Sequence, residues 1–290
     1  MQGKTVLITG ANSGVGFATA AALARMGARI LMICRDGKRG EAARAMVADR
    51  AGGAAPELML ADMSSQQSVR ALAEDLRRRE NKIDVLINNA GGMFAERELT
   101  VDGIERTFAT NHLGPFLLTS LIVDLVRAGS GGRIINVAAE AYPGKLDFDN
   151  LQGERHYGFL NAYFRSKLEN IIFTMELARR LSGSGVTINS MSPGPTRTRF
   201  GNNMTGLAGL FPRLTKIWFP GPEVGARTLI YLASSPEVEG ISGRFFLRMR
   251  ARRTKPVTLD PEVAARLWHI SAELVGLPVE AIQASPRTAA

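Results

Sequence analysis

"TVLITGANSGVG", residues 5 to 16, joins a run of apolar, β-favouring residues to a glycine-rich turn and the start of a helical pattern. Glycine lets a backbone turn tightly and come close to a pyrophosphate, and the amino end of a helix offers it unpaired N–H groups and a positive dipole. Gly10, Gly14 and Gly16, with Asn12, Ser13 and Val15 between them, are therefore candidate dinucleotide-binding residues. The spacing departs from the common G-x-G-x-x-G, and similar turns also serve ordinary strand-to-helix packing. Its place at the head of a βαβ unit is what favours nucleotide binding.

Working outward, "ARILMIC", "ELMLAD", "IDVLINNAG", "GRIINVAA", "GVTINSMSP" and "GRFFLRM" are further strand patterns, alternating with helical ones such as "GEAARAMVADR" and "QSVRALAEDLRRR". A long helical stretch runs from about Tyr163 to Leu181. The alternation predicts an α/β fold, a single doubly wound Rossmann-type domain with a central parallel sheet of about seven strands. No linker or repeat divides the chain, so a nucleotide-binding domain is expected over residues 1–256, with 257–290 as its C-terminal helical extension and tail. In that extension Val263, Leu267, Ile270 and Leu274 recur at helical spacing after Asp-Pro, and the final "QASPRTAA" is expected to fray.

The 290 residues are 45% apolar, enough for a sizeable core. A single cysteine, Cys34, excludes an internal disulfide and reads as a small buried strand residue. The sequence enters a strand at once, without a leader pattern or a run long enough to span a bilayer, so a cytoplasmic location is expected. The formal charge is +9, and Arg244, Arg248, Arg250, Arg252, Arg253 and Lys255 crowd one short stretch. No nucleic-acid-binding motif accompanies them, so they read as a solvated basic face; neither a nucleic-acid partner nor a metal is expected.

The end of the second strand bears on which dinucleotide fits. An acidic residue there suits the ribose hydroxyls of NAD, whereas a 2′-phosphate calls for arginine. "CRDGKR" supplies Arg35, with Lys38 and Arg39 behind it, and Asp36 as a competing carboxylate. The balance favours NADP(H). Residues 195–222 mix Gly and Pro with Phe200, Leu207, Phe211 and Trp218, which fits either an apolar substrate lid or a helical cap packed on the core.

"TGANSGVG", "NNAG" at Asn88 to Gly91, "TNHLG" around Asn111, "YFRSK" from Tyr163 to Lys167, and "SPGPTRT" around Pro193 and Gly194 occur in that order. Together they resemble the short-chain dehydrogenase/reductase family over nearly the whole chain, and "LDFDNLQGERHYGFLNAYFRSKLENIIFTMELARRL" with "AARLWHISAELVG" is most similar to its retinol dehydrogenase-like branch. The resemblance implies an NADP(H)-dependent oxidoreductase for a lipophilic, bulky ketone, aldehyde or alcohol, with a homodimer or homotetramer as the family's common assemblies. The membrane-anchoring amino-terminal segment of several such relatives is not matched.

Residue by residue, the resemblance implies a catalytic Tyr163 that exchanges a proton with the substrate oxygen, and a Lys167 that holds the nicotinamide ribose and lowers the tyrosine pKa. Their spacing of four puts them on one helix face. Asn111 matches an asparagine that supports a water-linked proton relay, and it also suits a helix-kink hydrogen bond. His112 beside it is expected to face structure or solvent. Asp62 and Met63 match the adenine end. Asn88, Asn89, Ala90 and Gly91 match the segment lining the cofactor, and Pro193, Gly194, Thr196 and Thr198 the loop near the carboxamide.

One position departs. The strand before the tyrosine helix usually ends in "NVSS", and this chain reads "NVAA", placing Ala138 and Ala139 where a substrate-binding hydroxyl is expected. Glu140, Tyr142 or a substrate hydroxyl are candidates to replace that donor, and Ala139, Glu140, Tyr142, Phe211 and Trp218 form the expected substrate pocket. Three readings stay open: a reductase that works without the serine, an enzyme turned to enone reduction, dehydration or isomerisation, and a non-catalytic NADPH-binding protein.

Overall fold

The computed structural model describes residues 1–52, 55–129, 131–196 and 219–282. Eight strands form one sheet: β1 (Thr5–Thr9), β2 (Arg29–Cys34), β3 (Glu57–Leu60), β4 (Val85–Asn88), β5 (Arg133–Val137), β6 (Thr187–Ser192), β7 (Arg244–Leu247) and β8 (Arg250–Arg252). Their order is β3-β2-β1-β4-β5-β6-β7-β8. The first seven run parallel and β8 pairs antiparallel with β7. The order reverses between β1 and β4, and in such sheets ligands bind beyond the carboxyl ends at that switch point.

The helices are α1 (Gly14–Arg25), α2 (Gly37–Ala51), α3 (Gln66–Arg79), α4 (Arg106–Arg127), α5 (Phe159–Arg180), α6 (Pro222–Ser234) and α7 (Pro261–Leu274). Because side chains alternate along a strand, each strand feeds two cores. Leu7, Leu31, Leu86, Ile134, Ile188 and Phe245 pack with α3, α4, α5 and α7. Val6, Ile8, Met32, Ile87, Ile135 and Phe246 pack with α1, α2 and α6. Cys34 is buried, as its strand position predicts.

Three expectations change. The sheet has eight strands rather than about seven, because the arginine-rich run after β7 turns back as an edge strand. The tyrosine helix starts at Phe159, four residues before Tyr163, so the pair sits within a formed helix rather than at its first turn. One helix, Arg106–Arg127, is long and apolar enough to cross a membrane by length and composition, but 78% of its most apolar window is buried inside the fold. It is a core helix, and its apolar faces are met by the sheet and by α3 and α5.

Helix α4 is irregular where it matters. Glu105, fully buried, caps it by accepting from the Thr107 and Phe108 N–H groups, and Ala109–Leu113 then forms a π-helical turn. Such turns insert one residue and re-aim the side chains around it. Directly after it stands Gly114, where a Cβ would lie 2.2 Å from the Met63 carbonyl oxygen, so only glycine lets α4 pass beneath the β3 end.

Candidate active site

The glycine turn is tied to the end of β4. Thr9 Oγ1 accepts from the N–H groups of Asn89 and Ala90, and Asn89 Nδ2 donates to the Thr9 and Gly10 carbonyls at 2.8 and 3.3 Å. A Cβ on Gly16 would stand 2.4 Å from Asn89 Nδ2 and 2.6 Å from the Gly10 oxygen. Gly10 and Gly14 take φ of +68° and +58°, in the left-handed region that glycine alone enters freely. Ser13 precedes α1 without capping it, and the first turn carries no acidic residue. Its N–H groups and dipole are thus left for an anion, so the residues present fit a dinucleotide pyrophosphate.

The two asparagines of "NNAG" separate. Asn89 faces the turn, whereas Asn88 points the other way and donates to Thr119 Oγ1 and Asn136 Oδ1. Asn136 continues to Thr174 Oγ1 on α5. Asn88 therefore belongs to a buried ladder that braces β4, β5 and α5, which corrects its expected place along the cofactor segment. Thr9 is the organising residue that sequence reading passed over; a threonine ending a buried strand just before a glycine turn was its signal.

At the other end of the cradle, Arg35 is exposed after β2, with its guanidinium 4.0 Å from Asp62. Asp36, the competing carboxylate, caps α2 by accepting from the Arg39 N–H at 3.0 Å. Lys38 and Arg39 are exposed beside it. Asp62 accepts from the N–H and hydroxyl of Ser64 and follows β3 at the same sheet edge, and Met63 is buried under it.

Tyr163 and Lys167 lie one turn apart on α5, with Lys167 Nζ 5.2 Å from the centre of the Tyr163 ring. Lys167 is buried and donates to the Val137 carbonyl at the end of β5, which Asn170 Nδ2 also reaches. Burial lowers the Lys167 ammonium to about 8. Burial pushes the Tyr163 phenol up from its ordinary range.

Asn111, at the π turn, is buried and clamps the cofactor segment from the far side. Its Oδ1 accepts from the Gly92 N–H at 2.7 Å, and its Nδ2 donates to the Gly92 carbonyl and to Ser166 Oγ. Ser166 Oγ in turn donates to the Tyr163 carbonyl at 2.7 Å, so one serine links the clamp to the tyrosine helix. A Cβ on Gly91 would sit 3.3 Å from Asn111 Oδ1 and 3.6 Å from Lys167 Nζ, which brings all three to one place. His112 points away: Nε2 bonds Ser271 Oγ on α7, its ring stacks on Phe108, and burial lowers it to about 4. It is structural, as expected.

Beyond β5, the Ala138 N–H donates to the Met191 carbonyl; Ala138 is buried and Ala139 half-buried. Glu140 is exposed. Tyr142 is buried against Phe245, its hydroxyl accepts from the Lys255 N–H, and Lys255 Nζ caps its carbonyl. Pro193, Gly194 and Thr196 follow β6, and Gly194 takes φ +69°. Gly225 on α6 admits this loop: a Cβ there would meet Thr196 Cγ2 at 2.7 Å, Val15 Cγ2 at 3.0 Å and Pro193 Cβ at 3.1 Å. The expected residues Thr198, Phe211 and Trp218, and most of the 195–222 segment, lie outside the described residues.

Comparison with known proteins agrees with this geometry. Residues 4–206 match the family model described as short chain dehydrogenase. Human retinol dehydrogenase 14 is 45% identical, covering 96% of this chain and 88% of its own. Human retinol dehydrogenase 13 is 40% identical, covering 99% and 88%. A solved, uncharacterised protein from Mycobacterium paratuberculosis superposes with a TM-score of 0.76 at 33% identity, covering 96% of this chain and 95% of its own. With a glycine cradle at the switch point and a Tyr163–Lys167 pair beneath it, this chain belongs to the short-chain dehydrogenase family of nicotinamide-dependent oxidoreductases, in its retinol dehydrogenase-like branch.

Proposed function

We propose that the chain moves hydride between NADP(H) and a bulky, lipophilic aldehyde, ketone or alcohol. The observation that carries the choice of nucleotide is the division of labour after β2: Asp36 is engaged in capping α2, while the Arg35 guanidinium is exposed. A carboxylate used as a cap is poorly placed to accept from ribose hydroxyls, and an exposed arginine suits a 2′-phosphate. The names of the retinol dehydrogenase relatives support an apolar alcohol or aldehyde as substrate.

Bound at the cradle, the dinucleotide supplies or takes the hydride at its nicotinamide. Gly10, Gly14, Gly16 and the α1 amino end would hold its pyrophosphate, and Asn89, Ala90 and Gly91 with Pro193, Gly194 and Thr196 would bound the nicotinamide end. Asp62 and Met63 would border the adenine. Lys167 would hold the ribose, and Asn111 with Ser166 fixes the segment around it. Tyr163, a phenol protonated at neutral pH and pushed further toward that form by burial, gives its proton to a carbonyl oxygen in the reductive direction.

Ala139 supports a second reading. Neither Ala138 nor Ala139 offers a hydroxyl, and Tyr142 is buried against Phe245 with its hydroxyl directed at the Lys255 N–H. A site short of one donor at the substrate oxygen is suited to conjugate reduction, in which hydride reaches an alkene carbon.

The nucleotide assignment is tested by titrating NADPH and NADH against wild type and Arg35→Ser by fluorescence. Wild type is expected to prefer NADPH, and the variant to lose about 10- to 100-fold in NADPH affinity, the worth of a charge-assisted hydrogen bond, with NADH unchanged. Equal affinities in the wild type contradict the assignment.

A further inference from the structure

The mechanism leaves the β7–β8 hairpin unused. Its arginines, Arg244, Arg248, Arg250, Arg252 and Arg253, are all exposed, and among the described residues none forms an ion pair. Arg227, also exposed, stands on α6 next to Thr228, whose hydroxyl accepts from the Met249 N–H. The turn itself is unusual. Arg248 and Met249 take φ of +50° and +61°, a hairpin geometry that normally calls for Asn-Gly. Two long side chains are thus held at a tight, strained tip, and Met249 is 43% exposed there.

Topology places this tip beside the site. β7 runs parallel to β6, so the turn leaves the same carboxyl edge as the Pro193 loop. Ser192 pairs with Leu247, and Leu247 with Arg250, while Met191 receives the Ala138 N–H. Arg250 therefore lies about three strand spacings, roughly 14 Å, along the edge from Ala138. The hairpin exposes no aromatic side chain for base stacking. Arg248 and Arg250 flank the exposed apolar tip, and Arg252 and Arg253 continue down the edge strand and just past it. Unpaired guanidinium groups beside one apolar tip match a layer of anionic headgroups over hydrocarbon.

We propose that this hairpin docks the protein on an anionic lipid bilayer, with the mouth of the active site turned toward it. The inference rests on the lipophilic substrate reading for its purpose: a substrate dissolved in a membrane is taken up where it resides. The docking itself is independent of turnover. Each basic side chain near an anionic surface strengthens partitioning about fivefold, so the cluster acts through number and is screened by salt.

The test is sedimentation with vesicles of phosphatidylcholine alone and of equal parts phosphatidylcholine and phosphatidylserine. It uses the whole chain and the combined variant Arg248→Gln, Arg250→Gln, Arg252→Gln, Arg253→Gln. The wild type is expected to bind only the phosphatidylserine vesicles, less at high salt, and the variant to bind about 100-fold more weakly or worse. Dinucleotide affinity, which reads the cradle, is expected to be the same in both, and this confirms that the variant is folded. Failure of wild type to bind, equal binding by the variant, or equally tight salt-sensitive binding to duplex DNA overturns the docking proposal. A loss of docking with unchanged turnover of a lipophilic aldehyde in detergent leaves the proposed activity standing.

Discussion

The cradle between β1 and β4 and the reacting end between β5 and β6 share one edge of the sheet but differ in construction. At the cradle, Thr9 and Asn89 tie the glycine turn to the next strand through several hydrogen bonds, and glycines without Cβ atoms fill the tightest contacts. At the reacting end, β5 runs out into two methyl groups, and the proposed chemistry rests on one phenol and one buried ammonium. The cradle is over-determined, whereas the reacting end depends on few groups. Binding and turnover should therefore respond to different substitutions.

The sharpest way to break this contrast is Tyr163→Phe. Turnover should fall about 100- to 10,000-fold, the range for loss of a general acid, while dinucleotide affinity stays within about twofold. A parallel loss of affinity would mean that the two regions are one. The converse is Gly16→Ala, which puts a methyl 2.6 Å from the Gly10 carbonyl. Dinucleotide affinity should weaken about 10- to 100-fold, the cost of overpacking, and calorimetric titration reads it directly.

A smaller effect comes from pH. Lys167, lowered to about 8 by burial, loses its charge above that pH, so dinucleotide affinity should fall by up to about tenfold per pH unit there. Stability should move the other way. The folded chain holds Lys167 less protonated than the unfolded chain does between about 8 and 10.5, so this group's contribution to stability increases with pH across that window. Lys167→Met should remove both slopes, as seen in binding titrations and in the difference in Tm across pH.

Much of this arrangement was legible in the sequence, for a physical reason. The glycine turn, the strand patterns and the Tyr-Lys spacing are local, and their meaning survives without tertiary contacts. What escaped depends on partners far along the chain. Asn88 and Asn89 are neighbours in sequence, and only strand alternation sends one to the core ladder and the other to the glycine turn. Asp36 was visible as a carboxylate, but its role depended on whether a helix began directly after it. The eighth strand is made of arginines, which carry no apolar alternation, and it forms because β7 offers an unpaired edge. Gly225 gains its importance from Thr196, Val15 and Pro193, none of them near it in sequence.

Whether the reacting end performs hydride transfer at all is tested by following deuterium from 4-deuterated NADPH into a panel of lipophilic aldehydes, ketones and enones, with wild type beside Ala139→Ser. The account predicts label at the carbonyl carbon with the wild type, and a rate higher by up to about 100- to 1000-fold with the serine restored. Label at an alkene carbon would shift the reading to conjugate reduction. Label from neither protein, with NADPH still bound, would contradict the account.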